Sequence, residues 1–253
     1  MTPRQRRWLF AVAVAGLVAC YLWAFAGLPG FGNYPGPYGQ QILRHAIAQT
    51  NATGVVSAIN FDYRGFDTIG EEFILFTAAA GMSVVLRRLR GEHEQRAGSP
   101  YERARNRDLP PTSDAIRVPT LALVGPVVLI GWWLASHAQT SPSGGFQGGV
   151  ILASAFILIY LAGEFLSFRR LSPDALLNAV EALGAGGFVA VGLAAIAMNL
   201  PYLYNYLPLG TIPGAVSSSG TIALISFFVG IEVAAAFVLI VGELLDQTLL
   251  RSA

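Results

Sequence analysis

Apolar residues along this chain gather into long runs separated by short polar stretches, and those stretches carry most of the charge. A bilayer core calls for about 20 residues of helix. Trp8 to Leu28, Val118 to Ala135, Gly148 to Phe168, the run opened by Ser172-Pro173-Asp174 and ending near Met198, and Gly220 to Leu245 all approach that length. Ser172 is expected as an N-cap with Pro173 at the first helical position. The remaining run is interrupted: Gly54 to Phe61 is apolar but too short to span, Asp62 to Asp67 breaks it, and Phe73 to Leu86 resumes it. Thr68-Ile69-Gly70-Glu71 reads as a capping box, which predicts a helix starting at Thr68 with unwound backbone before it. The pattern therefore predicts an all-α polytopic membrane protein of about six transmembrane helices, one of them preceded by a broken or half-length segment.

Two stretches between the runs carry further expectations. Pro29 to Gln49 reads as a loop in which Ile42, Leu43, Ala46 and Ile47 form an amphipathic patch suited to the membrane interface. Trp8 to Leu28 reads as a retained span, because it is longer than a signal h-region and no small-x-small cleavage site follows it. Asn51-Ala52-Thr53 is a formal glycosylation acceptor, read as a chance loop tripeptide.

Composition narrows the chemistry. The 253 residues are 54% hydrophobic and 12% charged, and every basic residue other than histidine is arginine. Without lysine there is neither a Walker-type phosphate loop nor a Schiff-base enzyme. The single cysteine, Cys20, allows no internal disulfide and no Cys-x-x-Cys site, and His45, His93 and His137 match no metal-ligand spacing. No cofactor or metal is expected, and no nucleotide or nucleic acid as partner.

Arginine also sets the organisation. Seven arginines fall between Arg87 and Arg107. That predicts a two-span module over residues 1–90, a cytoplasmic linker over 91–116 and a four-span module over 117–253. Arg4, Arg6, Arg7, the linker set, Arg169, Arg170 and Arg251 share one face of a six-span arrangement, with only Arg44 and Arg64 elsewhere. Both termini are expected in the cytoplasm, in a multi-pass protein of the plasma membrane.

The candidate chemistry lies in the acids. Asn60 to Glu72 packs Asp62, Arg64, Asp67, Glu71 and Glu72 into thirteen positions. A charge at membrane depth costs about 2.5 to 3.5 kcal/mol even on lenient scales. The cluster is thus either a water-facing helix start whose acids meet the helix dipole, or part of an ion pathway. Glu164 is near enough to Arg169 to reach the interface, whereas Glu181 lies about two turns inside its run and Glu232 sits mid-span. At helical periodicity Thr221, Glu232 and Glu243 share one stripe, with Asp246 beside it. Such a stripe lines a hydrated path or clasps a charged neighbour, and both readings require partner subunits. Gly145, Gly149 and Ala153, then Gly186, Ala190 and Ala194, and finally Gly230 with Ala234, repeat at four-residue spacing and predict close helix packing.

Ser136-His137 followed by Pro142-Ser143-Gly144-Gly145-Phe146-Gln147-Gly148-Gly149 resembles the histidine, proline and Gly-Gly-Gly-Phe-x-Gly-Gly signature of the B-type component of Mrp multisubunit sodium/proton antiporters. The run from Ser217-Ser218-Ser219-Gly220-Thr221 into Gly230-Ile231-Glu232-Val233 is similar to the end of that component. Asn60 to Glu72 resembles the Asp-x-Arg-Gly-Phe-Asp-Thr-x-Gly-Glu motif at the carboxy-terminal end of the large A-type component. Related membrane-bound hydrogenases carry that piece as a separate small protein. Together these resemblances cover about residues 54–88 and 117–247. The departures are a longer His137 to Pro142 spacing and Ser143 in place of the first glycine.

The resemblance implies a non-catalytic accessory subunit of a multisubunit sodium (monovalent cation)/proton antiporter, set in lipid beside antiporter-like membrane subunits. It also implies functional roles among Asp62, Asp67, Glu71 and Glu72, with Glu71 or Glu72 a relay, Arg64 holding an adjacent acid ionised, and Glu232 a second relay or a clasp. The alternatives are the membrane arm of a hydrogenase-like or other redox-driven complex, and a spacer with no ion path.

Overall fold

A computed structural model of the chain describes residues 3–28, 36–86, 112–140, 143–163 and 165–251. Most of the Arg-rich linker, Pro142 and Glu164 lie outside the described residues. Among those described there are helices α1 (Pro3–Ala26), α2 (Pro37–Thr50), α3 (Val55–Ala58), a π-helical turn (Ile59–Tyr63), α4 (Gly65–Leu86), α5 (Asp114–Ser136), α6 (Gly145–Leu161), α7 (Phe165–Leu171), α8 (Asp174–Ala197) and α9 (Thr221–Arg251). Five segments are long and apolar enough to cross a membrane, namely Arg7–Ala26, Gly65–Leu86, Asp114–Ser136, Asp174–Ala197 and Thr221–Leu245. The shorter apolar helix Gly145–Leu161 stands beside them. The protein is all-helical, as its hydrophobic pattern predicts.

The chain divides into two compact units, Met1–Gln41 and Ile42–Ala253. In the first, α1 exposes apolar side chains all round, among them Trp8, Phe10, Leu17 and Trp23. A helix that is apolar on every side is suited to lipid or to other membrane helices.

In the second unit α9 is the central post, packing against α4, α6 and α8, while α5 packs against α6. Ile222, Ile225, Val229 and Val233 of α9 meet Phe188 and Val191 of α8, with Ile42, Ala46, Phe61 and Ile69 completing the cluster. Farther along, Ala235, Val238 and Leu239 meet Ala153, Phe168 and Leu177. Glycines let α6 fit between its two neighbours. A Cβ on Gly148 would lie 2.6 Å from the Ala135 nitrogen of α5, and one on Gly149 would lie 2.6 Å from the Gly230 oxygen of α9. Such close backbone approach is the usual basis of membrane helix packing.

Several boundaries differ from the sequence reading. Residues from Pro37 form a helix, not a loop, and Ile42, Ala46 and Thr50 at four-residue spacing bury one of its faces while Leu43 and Ile47 stay exposed. The break before α4 is a wide turn of helix instead of unwound backbone, closed by the Arg64 amide donating to the Ile59 carbonyl at 2.7 Å. Helix α4 accordingly begins at Gly65, and Thr68 lies inside it, its hydroxyl donating to the Asn60 carbonyl at 2.6 Å. Residue 68 thus satisfies a carbonyl of the π turn in place of capping a helix. The fourth run is also divided, ending at Leu161 before Gly163 with φ of 82° and resuming as the short α7. Pro173 takes the N-cap of α8, while the Ser172 hydroxyl donates back to Phe168 O at 2.6 Å.

At one end of the bundle three non-helical segments are bound together. Asn51, at φ of 53°, donates through its side chain to Leu209 O and Gly210 O, and its carbonyl accepts from the Gly214 amide. Ser57 donates to Ala138 O at 2.6 Å, and the Gln139 side chain donates to Val216 O at 2.7 Å. Asn205 accepts from the Thr221 amide at 2.7 Å, fixing the start of α9. This loop end is opposite the end bearing Arg169 and Arg170.

Candidate ion path

The chain brings three carboxyl groups from three helices into the interior. Glu72 of α4 is 3% exposed, Glu181 of α8 is 5% exposed and Glu232 of α9 is 0% exposed. Neither oxygen of Glu232 has a hydrogen-bond partner among the described residues, and the same holds for Oε2 of Glu72 and Oε1 of Glu181. Glu232 lies within electrostatic reach of Glu72 on one side and of Glu181 on the other. A buried carboxyl without donors is tolerated only with a proton or a counter-cation at hand.

Helix geometry arranges them by depth. Helices α4 and α9 both start at the loop end, with Gly65 against Leu203 and Thr221 bonded to Asn205, and α8 finishes there at Ala197. Glu72 lies seven positions past Gly65, Glu232 eleven past Thr221 and Glu181 sixteen before Ala197. At 1.5 Å per residue those depths are about 10, 16 and 24 Å from the loop end. The three acids form a ladder descending the membrane, and half-buried Glu243 continues the α9 stripe toward the arginine end.

Glycine makes the middle rung possible. A Cβ on Gly184 would sit 2.5 Å from Glu232 Cβ and 2.8 Å from the Glu232 nitrogen, so α8 can approach α9 at this level only without a side chain there. Gly184 follows Glu181 by three positions and so shares its face. Gly187 likewise lies against Phe228.

The other predicted residues fall elsewhere. Arg64 pairs with Asp67, its Nε 2.6 Å from Oδ2, on an exposed surface with the two side chains 57% and 51% accessible. Glu71 is exposed on the flank of α4, and Asp62 is half-buried in the π turn, where Tyr63 donates to Gln49. These groups do not join the ladder. Of the packing residues, Gly145, Gly149, Ala153 and Gly230 lie at interfaces, with a Gly230 Cβ 3.0 Å from that of Ala135. Gly186 faces open space and Ala190 is exposed, so the working face of α8 is Gly184, Phe188 and Val191. Four-residue spacing selects the wrong glycine of the Gly184-Ala185-Gly186-Gly187 run, although Glu181 marks the right face. Thr68, Ser57 and Gln139 escape the sequence reading, because their partners are backbone carbonyls that leave no sequence pattern. His137 stacks on Trp133 with ring centroids 5.2 Å apart and lies 2.9 Å from the Trp133 carbonyl, which makes it the end stop of α5.

Comparison with known proteins follows the same division. Residues 115–239 match the family described as a domain related to the MnhB subunit of sodium/proton antiporters, and residues 3–103 match the MbhE family, a component of the membrane-bound hydrogenase, MBH. A probable potassium/proton antiporter protein of the fused A/B type from Rhizobium meliloti is 24% identical over 68% of this chain, which spans only 18% of that protein's length. A chain of the membrane-bound sulfane sulfur reductase, an archaeal respiratory membrane complex, superposes with a TM-score of 0.71 at 26% identity, over 95% of this chain and 98% of that one. The Mrp complex of Dietzia sp. contains the same fold, with a TM-score of 0.68 at 22% identity over 96% of this chain and 26% of that one. Through residues 115–239 the chain belongs to the family of MnhB-related antiporter domains, joined here to a region of the MbhE family.

Proposed function

We propose that this chain is an accessory subunit of a multisubunit monovalent cation/proton antiporter and that Glu72, Glu232 and Glu181 form part of its ion path. The observation that carries the reading is Glu232, fully buried with both oxygens unpartnered and a further carboxyl within reach on either side. Intramembrane acids without a basic partner are the ordinary components of proton and cation routes. The MnhB-related region and the Rhizobium A/B relative support the antiporter assignment.

In this reading residues 3–103 and 115–239 act as one fused pair of modules inside a larger assembly of membrane subunits. Placing the arginine end in the cytoplasm puts both termini there, in a plasma membrane protein with no catalytic step of its own. Substitution Glu232→Gln in the assembled complex, assayed for sodium-dependent proton movement in membrane vesicles, tests the path. Loss of transport with assembly intact supports it, and full transport refutes it.

A second reading is favoured by one observation. The full-length superposition on a chain of the sulfane sulfur reductase fits a membrane arm in a redox-driven complex equally well. Mass spectrometry of the proteins that co-purify with this chain separates the two. Antiporter-like subunits without iron-sulfur proteins mean secondary transport, and redox subunits in fixed ratio mean the respiratory alternative.

A further inference from the structure

We propose that the Glu72, Glu232 and Glu181 ladder carries protons and excludes sodium ions. The inference rests on the ion-path reading above and assigns that path its cargo.

The surroundings of the middle rung argue for it. A hard metal cation stripped of water needs a shell of about six oxygen ligands. Around Glu232 the nearest surfaces are apolar or already bonded: Gly184 closes one side, Phe228 lies one turn away, and Val229 and Val233 flank it in the core. No donor hydroxyl or amide reaches either of its oxygens among the described residues. Nor do the described residues hold any group of three or more His, Cys, Asp or Glu side chains placed to bind a metal. A sodium ion at this level would have carboxylate oxygens and little else. A proton needs one oxygen at a time. In each step the O–H bond at one carboxyl breaks as another forms at the next, directly or through a water, and the negative charge moves the opposite way.

The arginine end supplies an independent argument. Arg169 of α7 binds Asp174 of α8 with NH1 to Oδ1 at 3.0 Å, and its side chain is 18% exposed. The same NH1 would be 3.1 Å from a Cβ on Gly242 of α9, so the guanidinium lies across that glycine, next to Glu243. Glu181 is seven positions beyond Asp174, about 10 Å along α8. A permanent positive charge thus bridges three helices at the mouth below the last rung, where it opposes a metal cation. It leaves a proton hand-off between carboxyls unhindered.

The charged groups on the helices around the ladder are few. Helix α4 adds exposed Asp67, paired with Arg64, and exposed Glu71; α7 adds Arg169 and Arg170; α8 adds Asp174; and α9 adds Glu243. Arg64 and Arg169 are engaged by Asp67 and Asp174, acids outside the ladder, so the negative charge on the rungs stays available to the mobile proton.

The test uses the intact complex, purified through this chain, with wild type compared with Glu232→Gln and Glu181→Gln. Proton uptake into proteoliposomes is followed by an internal pH dye, and radioactive sodium binding to the detergent-solubilised complex is measured at equilibrium. Either substitution should lower proton uptake roughly tenfold or more and leave sodium binding unchanged. Loss of sodium binding in either variant overturns the proton assignment while the ion-path reading stands. Unchanged proton uptake and unchanged sodium binding together refute the path itself. A wild-type measurement is independent of variant folding. The infrared band of protonated carboxyl groups should be unaffected by sodium, and a sodium-induced loss of that band would overturn the proposal.

Discussion

Gly184 and Glu232 face each other so closely that a Cβ on the glycine would lie 2.5 Å from the Cβ of the glutamate. A methyl group there meets the α9 backbone at 2.7 Å as well as the side chain, so relief requires the two helices to move apart. Gly184→Ala should therefore destabilise the bundle by about 1 to 3 kcal/mol, read as a lower melting temperature of the purified complex, and should separate Glu181 from Glu232. Gly186→Ala is the control, because a methyl at that position meets nothing within 4 Å and should leave melting unchanged.

The glycines of α6 make a second, larger prediction. Gly149 has Gly230 O at 2.6 Å and Val233 Cβ at 2.7 Å from its notional Cβ. Replacing it by leucine cannot be accommodated by a rotamer change alone. Gly149→Leu should prevent α6 from seating on α9 and abolish assembly, which size-exclusion chromatography of the tagged complex will show.

Thr68 tests the π turn. Its hydroxyl satisfies the Asn60 carbonyl beside the wide turn, at 2.6 Å. Thr68→Val keeps the shape and removes the donor, at a cost of about 1 kcal/mol. The expected result is faster amide hydrogen exchange at residues 60–65 with little change elsewhere.

Arg64 and Asp67 form an ion pair that is more than half exposed. Exposed pairs contribute about 0 to 1 kcal/mol. Arg64→Gln should then shift the melting temperature of the complex by no more than a degree or two per 0.5 kcal/mol, roughly the scale for chains of this size. A large drop in melting temperature would show that the pair is buried against another protein of the complex.

These cases show which parts of the fold are legible in the sequence. Membrane-length runs such as Val118 to Ala135 announce themselves, because a bilayer demands about 20 apolar residues and few other structures do. The acid ladder is half legible. Glu232 is conspicuous as a lone charge at mid-span, but its link to Glu72 and Glu181 depends on which face each helix turns inward, and that follows from packing. The capping-box reading of Thr68 fails because the same threonine-x-x-glutamate spacing serves a helix that has already begun three residues earlier, at Gly65. Gly163 and its positive φ divide the fourth run, although a single glycine within an apolar stretch looks no different from a packing glycine. Arginine counting draws most of its weight from the linker, so it speaks to topology and leaves the ladder untouched.

The most direct test of the account is sodium-dependent proton movement in vesicles carrying the fully assembled complex, with Glu232→Gln compared with wild type. The account predicts that transport falls roughly tenfold or more while every subunit is retained. Wild-type transport in the variant would contradict it and leave Glu232 a buried structural group with no part in the path.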